Sequence, residues 1–179
     1  MKTKKHLLNL ALSAMFLALA YVLPFFTGQI QKIGAMLCPM HIPVLLCGFV
    51  CGAPYGFAVG AAAPLLRSFM LGMPHLFPNA VAMAFELAFY GLVSGLLYKA
   101  LPKKKGYIYV SLVGAMIAGR AVWGTVMFFL MGLDATKFGF AAFWAGAIVN
   151  ALPGIIVQIL LIPTIVILLE KAKLMPRKG

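Results

Sequence analysis

Charge in this chain is confined almost wholly to short segments that separate long apolar runs, a pattern suited to a bilayer rather than to water. Of 179 residues, 64% are hydrophobic and 10% charged, far from soluble globular usage. Hydrocarbon offers backbone N–H and C=O groups no water to bond, so runs of this length predict helices that satisfy their own ladders. Against a span of about 20 residues, six candidates emerge, roughly 7–26, 40–51, 56–70, 79–97, 107–131 and 140–169. The second and third are short and interrupted by Pro39, Pro43, Pro54 and Pro64, which predicts kinked or partly spanning helices. The last two are long enough to tilt or to project. The first run is too long for a signal peptide and lacks a convincing small-residue cleavage site, so it reads as a span. The expectation is one domain over residues 1–179, an all-α six-transmembrane-helix bundle.

The lysines orient that bundle. An even number of spans puts both termini on one side, with Lys2, Lys4, Lys5, Lys99, Lys103, Lys104, Lys105, Lys171, Lys173, Arg177 and Lys178. The other side receives only Lys32 and Lys137. Eleven against two predicts cytoplasmic termini by the positive-inside bias. The net charge of +12 therefore belongs to head groups and orientation, not to nucleic acid.

Three charges escape this sorting: Arg67, Arg120 and Glu86 lie within apolar runs. An ionisable group at membrane depth is costly, and is read first as a ligand, relay or ion-pair site. Arg67 lies near the outer end of the third run and has a route to the interface. Arg120 has neither loop nor interface nearby, and Trp123 stands three residues on, on the same face. Two readings stand side by side. Glu86 is a structural partner of Arg67 or Arg120, or the arginine fork grips a carboxylate or phosphate while the indole covers an apolar part of the ligand. The remaining polar residues cluster toward the outer halves of the last three runs and nearby loops: Gln31, Lys32, His75, Asn79, Trp144, Asn150 and Gln158. His75 reads equally as an exposed loop residue, and His41 is similarly ambiguous. A few placed donors among apolar walls fit a pocket for a small polar molecule.

Other signals are structural. Gly48, Gly52, Gly56 and Gly60 recur every four residues, and Gly91 and Gly95 repeat the spacing, as close helix packing in lipid requires. Ala11, Ala14 and Ala18 give the first helix a smooth face, for packing or for docking another membrane protein. Cys38, Cys47 and Cys51 read as small apolar packing residues, and no metal site is expected. The sequence has no phosphate loop, no HExxH and no GxSxG, and three acidic residues leave little acid–base chemistry. No catalytic residue is assigned and no cofactor is expected in this chain. No inverted repeat is visible, which disfavours a self-sufficient secondary transporter.

The lysine-rich start, the alanine-spaced first helix and the segments Met40-His41-Ile42-Pro43-Val44 and Cys47-Gly48-Phe49-Val50-Cys51-Gly52-Ala53-Pro54-Tyr55-Gly56 resemble the substrate-binding S components of energy-coupling-factor (ECF) transporters. The resemblance covers essentially the whole chain and is nearest the vitamin-type branch. It implies a high-affinity binding subunit of the bacterial cell membrane for a small water-soluble vitamin, working with a transmembrane T component and two ATPase subunits that use ATP. It also implies that Ala14 and Ala18 contact the T component. The pocket would hold Asn79, Glu86, Arg120, Trp123, Trp144 and Asn150, with Gln31 and Lys32 in a lid. An anionic vitamin suits Arg120, pantothenate first, with riboflavin, folate or a vitamin B6 form open. The alternatives are a stand-alone facilitator or channel, and a non-transport membrane scaffold.

Overall fold

The computed structural model describes residues 2–27, 37–102, 104–132, 139–172 and 175. Among them the regular structure is helical throughout. Helix α1 is Lys2–Thr27, α2 His41–Cys51, α3 Ala53–Leu71 and α4 Val81–Ala100, entered through a wide turn at Leu76–Ala80. Helix α5 is Lys105–Leu130, α6 the short Phe140–Trp144, and α7 Leu152–Lys171. Among the described residues four segments are long and apolar enough to cross a membrane: Thr3–Phe26, Leu76–Ala100, Lys105–Leu130 and Leu152–Lys171. The 11 residues of α2 rise only about 16 Å, half a hydrocarbon core.

The centre of the molecule is a seam of glycines where α2, α3 and α4 meet backbone to backbone. A Cβ on Gly91 would lie 2.2 Å from the Gly56 carbonyl oxygen, and one on Gly60 2.2 Å from that of Leu87. Gly48 faces Gly91 as well, and Gly95 faces the backbone of Ala53. Lipid supplies no hydrophobic drive for helices to associate, so contact at this distance, open only to residues without a side chain, gives the dispersion that holds them. Between α2 and α3 the chain reverses at Gly52, whose φ of +100° suits glycine, and Pro54 opens α3 in its first turn.

Cross-contacts fix the direction of each helix. His6 is hydrogen-bonded to the Tyr55 hydroxyl, Asn9 Nδ2 donates to the Cys51 carbonyl and, two turns or more along, Arg67 Nη1 donates to the carbonyl of Tyr21. Helices α1 and α3 therefore run parallel. Helix α4 runs against α3, and α5 against α4, with Gly119 meeting Tyr90 and Gly114 meeting Leu97. At the end of α4 the Tyr98 hydroxyl donates to Glu170, near the end of α7. The start of α1, the end of α4, the start of α5 and the end of α7 thus share one end of the bundle.

The last apolar run differs from the single span its hydropathy suggests. Its helix opens through a wide turn at Ala145–Val149 and restarts as α7 at Leu152 with a proline in its first turn. Pro153 supplies no N–H and its ring crowds the carbonyl four residues back, so the ladder cannot run through.

Candidate functional site

Away from the lysine-bearing end, three helices bring ionisable side chains together inside the bundle. Arg120 of α5 reaches Glu86 of α4, with Nη1 2.9 Å from Oε1. His41, the first residue of α2, directs Nε2 at the same oxygen from 3.5 Å. The Glu86 side chain is 2% exposed, that of His41 4% and that of Arg120 15%. Tyr90, one turn after Glu86, meets the His41 ring edge-on with 5.1 Å between centroids. The second guanidinium nitrogen, Nη2, donates to Cys38 Sγ over a long 3.8 Å.

Local sequence explains each placement. Glu86 and Tyr90 are four residues apart and share a face of α4. Gly119 opposes that face and lets α5 approach, so that Arg120 extends beside it. Pro39 and Pro43 flank His41, and the chain enters α2 through Cys38, a non-glycine residue at φ +47°.

The cluster is incompletely satisfied. His41 Nδ1 and Arg120 Nε are buried with no hydrogen-bond partner among the described residues, and so is Oε1 of Gln158 on α7. Buried polar atoms are nearly always bonded, so the two orphans on the charged cluster, His41 Nδ1 and Arg120 Nε, point to a ligand or to water. The orphan on Arg120 is informative in its position. Nη1 is committed to Glu86, while Nε and Nη2 form the side edge of the fork, which matches the two oxygens of a carboxylate.

The other expected residues fall elsewhere. Of the two arginines weighed as partner of Glu86, Arg120 takes it. Arg67 bonds the Tyr21 carbonyl at 2.9 Å and lies 5.0 Å from the Phe25 ring centroid. That carbonyl is one turn before Pro24, where the ladder of α1 is interrupted. Trp123 packs on α6, with Phe143 at 6.3 Å and Gly146 against its indole. Trp144 is half-exposed beside Phe140. Asn79, Asn150 and His75 are exposed. Gln31 and Lys32 lie outside the described residues. Ala11, Ala14 and Ala18 are all exposed along α1.

Two members of the cluster, Cys38 and Tyr90, carry no signal in sequence, since each is ordinary in an apolar helix. His41 had one, as a polar residue beside an apolar run, but nothing in its spacing ties it to Glu86.

Neither the curated proteins nor the solved structures give a match to this chain. A family match does exist, described as "ECF transporter, substrate-specific component" and covering residues 8–166. With nearly its whole length inside that match, the chain belongs to the substrate-specific components of ECF transporters, the subunits of these membrane importers that select the cargo.

Proposed function

We propose that this chain is the high-affinity binding subunit of an ATP-driven importer for a small, water-soluble, anionic vitamin, with pantothenate the first candidate. Riboflavin, folate or a vitamin B6 form are the other cargoes to try. The observation that carries the reading is the side edge of Arg120, buried between helices with Nε unbonded among the described residues and Nη2 at a long 3.8 Å from a thiol. A carboxylate that displaces the Cys38 thiol gains two parallel charge-assisted bonds. Glu86 keeps the fork oriented meanwhile, since it uses the other nitrogen.

The rest of the reading follows the family. The seven helices form six spans, counting α2 and α3 as a short pair and α6 with α7 as one. The lysine-bearing end faces the cytoplasm of a bacterial cell and the cluster opens outward, with Gln31 and Lys32 in the segment that covers it. Exposed Ala14 and Ala18, with Ala11 beside them, dock on a T component, which two ATPase subunits drive. The inner part of the bundle is filled by glycine-seam packing, which favours a binder over a stand-alone facilitator.

Equilibrium binding on the purified protein, preceded by mass spectrometry of whatever small molecule copurifies, tests this. Pantothenate is expected to bind, and Arg120→Ala to weaken it about 30-fold or more, equivalent to about 2 kcal/mol for a truncated buried charge contact. Affinity for none of the vitamins, or binding indifferent to Arg120→Ala, overturns it.

A further inference from the structure

The charge count at the Glu86 cluster makes a further demand, which rests on the reading of the cargo as a carboxylate. Arg120 and Glu86 already neutralise one another at 2.9 Å. A second carboxylate on the same guanidinium leaves two negative charges against one positive in a site shielded from water. Burial disfavours net charge strongly, and a titratable group nearby responds by changing its protonation.

One group is placed to respond. His41 directs Nε2 at Glu86 Oε1, and its Nδ1 is buried without a partner. As an imidazolium it would donate at both nitrogens, to Glu86 and toward the ligand. Among the described residues no rival cation stands at that position. Helix α4 contributes Glu86 and Tyr90, α5 contributes Arg120, and the approach to α2 contributes Cys38. Of the other elements on α2, α3 brings Arg67, engaged with the Tyr21 carbonyl of α1. Helix α1 has its other charged residues at the far end with His6, and α7 has Glu170 and Lys171 there.

We propose that the cargo carboxylate binds together with one proton, taken from the outer aqueous phase by His41, so that the occupied site holds Arg120 and imidazolium against Glu86 and the ligand. Where the imidazole of the empty protein is already protonated, binding takes up none. At higher pH the uptake approaches one, and affinity falls about tenfold per pH unit.

Calorimetry of pantothenate binding in phosphate and in Tris, from pH 5.5 to 8.5, reads the proton count from the difference in buffer ionisation heat. About one proton is expected at pH 8 and none with the neutral alcohol analogue of pantothenate. His41→Gln keeps a donor on Glu86 without a titrating group, and is expected to bind with zero uptake and a flat pH profile. Glu86→Gln removes the surplus negative charge and is expected to take up none and to bind best, relative to the unaltered protein, at high pH. A purely structural His41 would lower thermal stability when replaced and leave the proton count unchanged. Tight binding of pantothenate at pH 8 with zero uptake by the unaltered protein overturns the proposal and leaves the proposed function intact. Binding of an uncharged vitamin alone removes the carboxylate cargo and overturns this proposal, while a vitamin-binding subunit with another cargo stands.

Discussion

At the scale of single residues, a guanidinium as buried as Arg120 has to be explained by what it touches. Its bond to Glu86 is consistent both with a scaffold pair and with a positioned binding group, and the two separate on mutation. Removing one partner of a buried pair strands the other charge, at a cost of about 3–5 kcal/mol. Glu86→Ala is therefore expected to lower the unfolding temperature in detergent sharply. Replacing both, as Glu86→Gln with Arg120→Met, removes the stranded charge, and much of that stability is expected to return. If Arg120 serves the cargo, the double variant stays deficient in vitamin binding despite its recovered stability. Recovery of both would assign the pair to the scaffold. Arg120→Lys provides a finer cut, because an ammonium keeps the charge but has no planar edge. It should retain the ion pair and lose most of the affinity.

At the scale of elements, the fold depends on helices that touch through glycine. The four-residue spacing of Gly56 and Gly60, and of Gly91 and Gly95, was legible as packing, because on a helix that spacing stacks residues on one face. What spacing does not state is the partner. Gly56 meets Gly91, and Gly60 meets Leu87, through the tertiary arrangement of α3 and α4. Gly91→Ala places a methyl carbon where the Gly56 backbone already stands, so the helices must separate. Overpacking of this kind costs about 1–3 kcal/mol, and backbone offers less give than a side chain. Gly106→Ala serves as the control: its Cβ meets nothing within 4 Å, and alanine improves helix propensity by up to about 1 kcal/mol. Thermal unfolding of the two variants in the same detergent should move in opposite directions. The break before α7 had a signal too, Pro153, but uninterrupted hydropathy on both sides of it concealed the restart. The site was legible only in part. Charges inside apolar runs announced Glu86 and Arg120, whereas Asn79, Asn150 and Trp144 shared their polarity but lie at exposed positions. Depth along a helix can be counted from sequence; the direction a side chain takes around it depends on neighbours that hydropathy does not encode.

At the scale of the whole molecule, two surfaces are asymmetric, and each carries a prediction. The first is charge. Lys4, Lys5, Lys99, Lys104, Lys105 and Lys171 gather at the end of the bundle where α1 starts, α4 ends and α7 ends. Cysteines placed singly at Lys4 and Lys171 should react with a membrane-impermeant maleimide in inside-out vesicles and be spared in intact cells, with the native cysteines replaced beforehand. Opposite sidedness of the two would break the even-span topology. The second surface is α1. It is the least enclosed of the long helices, and along its exposed side small Ala11, Ala14 and Ala18 interrupt bulky Leu7, Leu8, Leu10, Met15 and Leu19. A helix that only faced lipid would gain nothing from small residues there, since lipid chains conform to any shape, whereas a partner helix comes close only over small ones. Ala14→Trp with Ala18→Trp should therefore abolish copurification with the T component and ATPases. Vitamin affinity of the isolated subunit should stay within a factor of about two, because neither alanine belongs to the Glu86 cluster. Loss of affinity along with docking would mean that α1 shapes the site itself. Undisturbed copurification would move the docking surface to another face of the bundle.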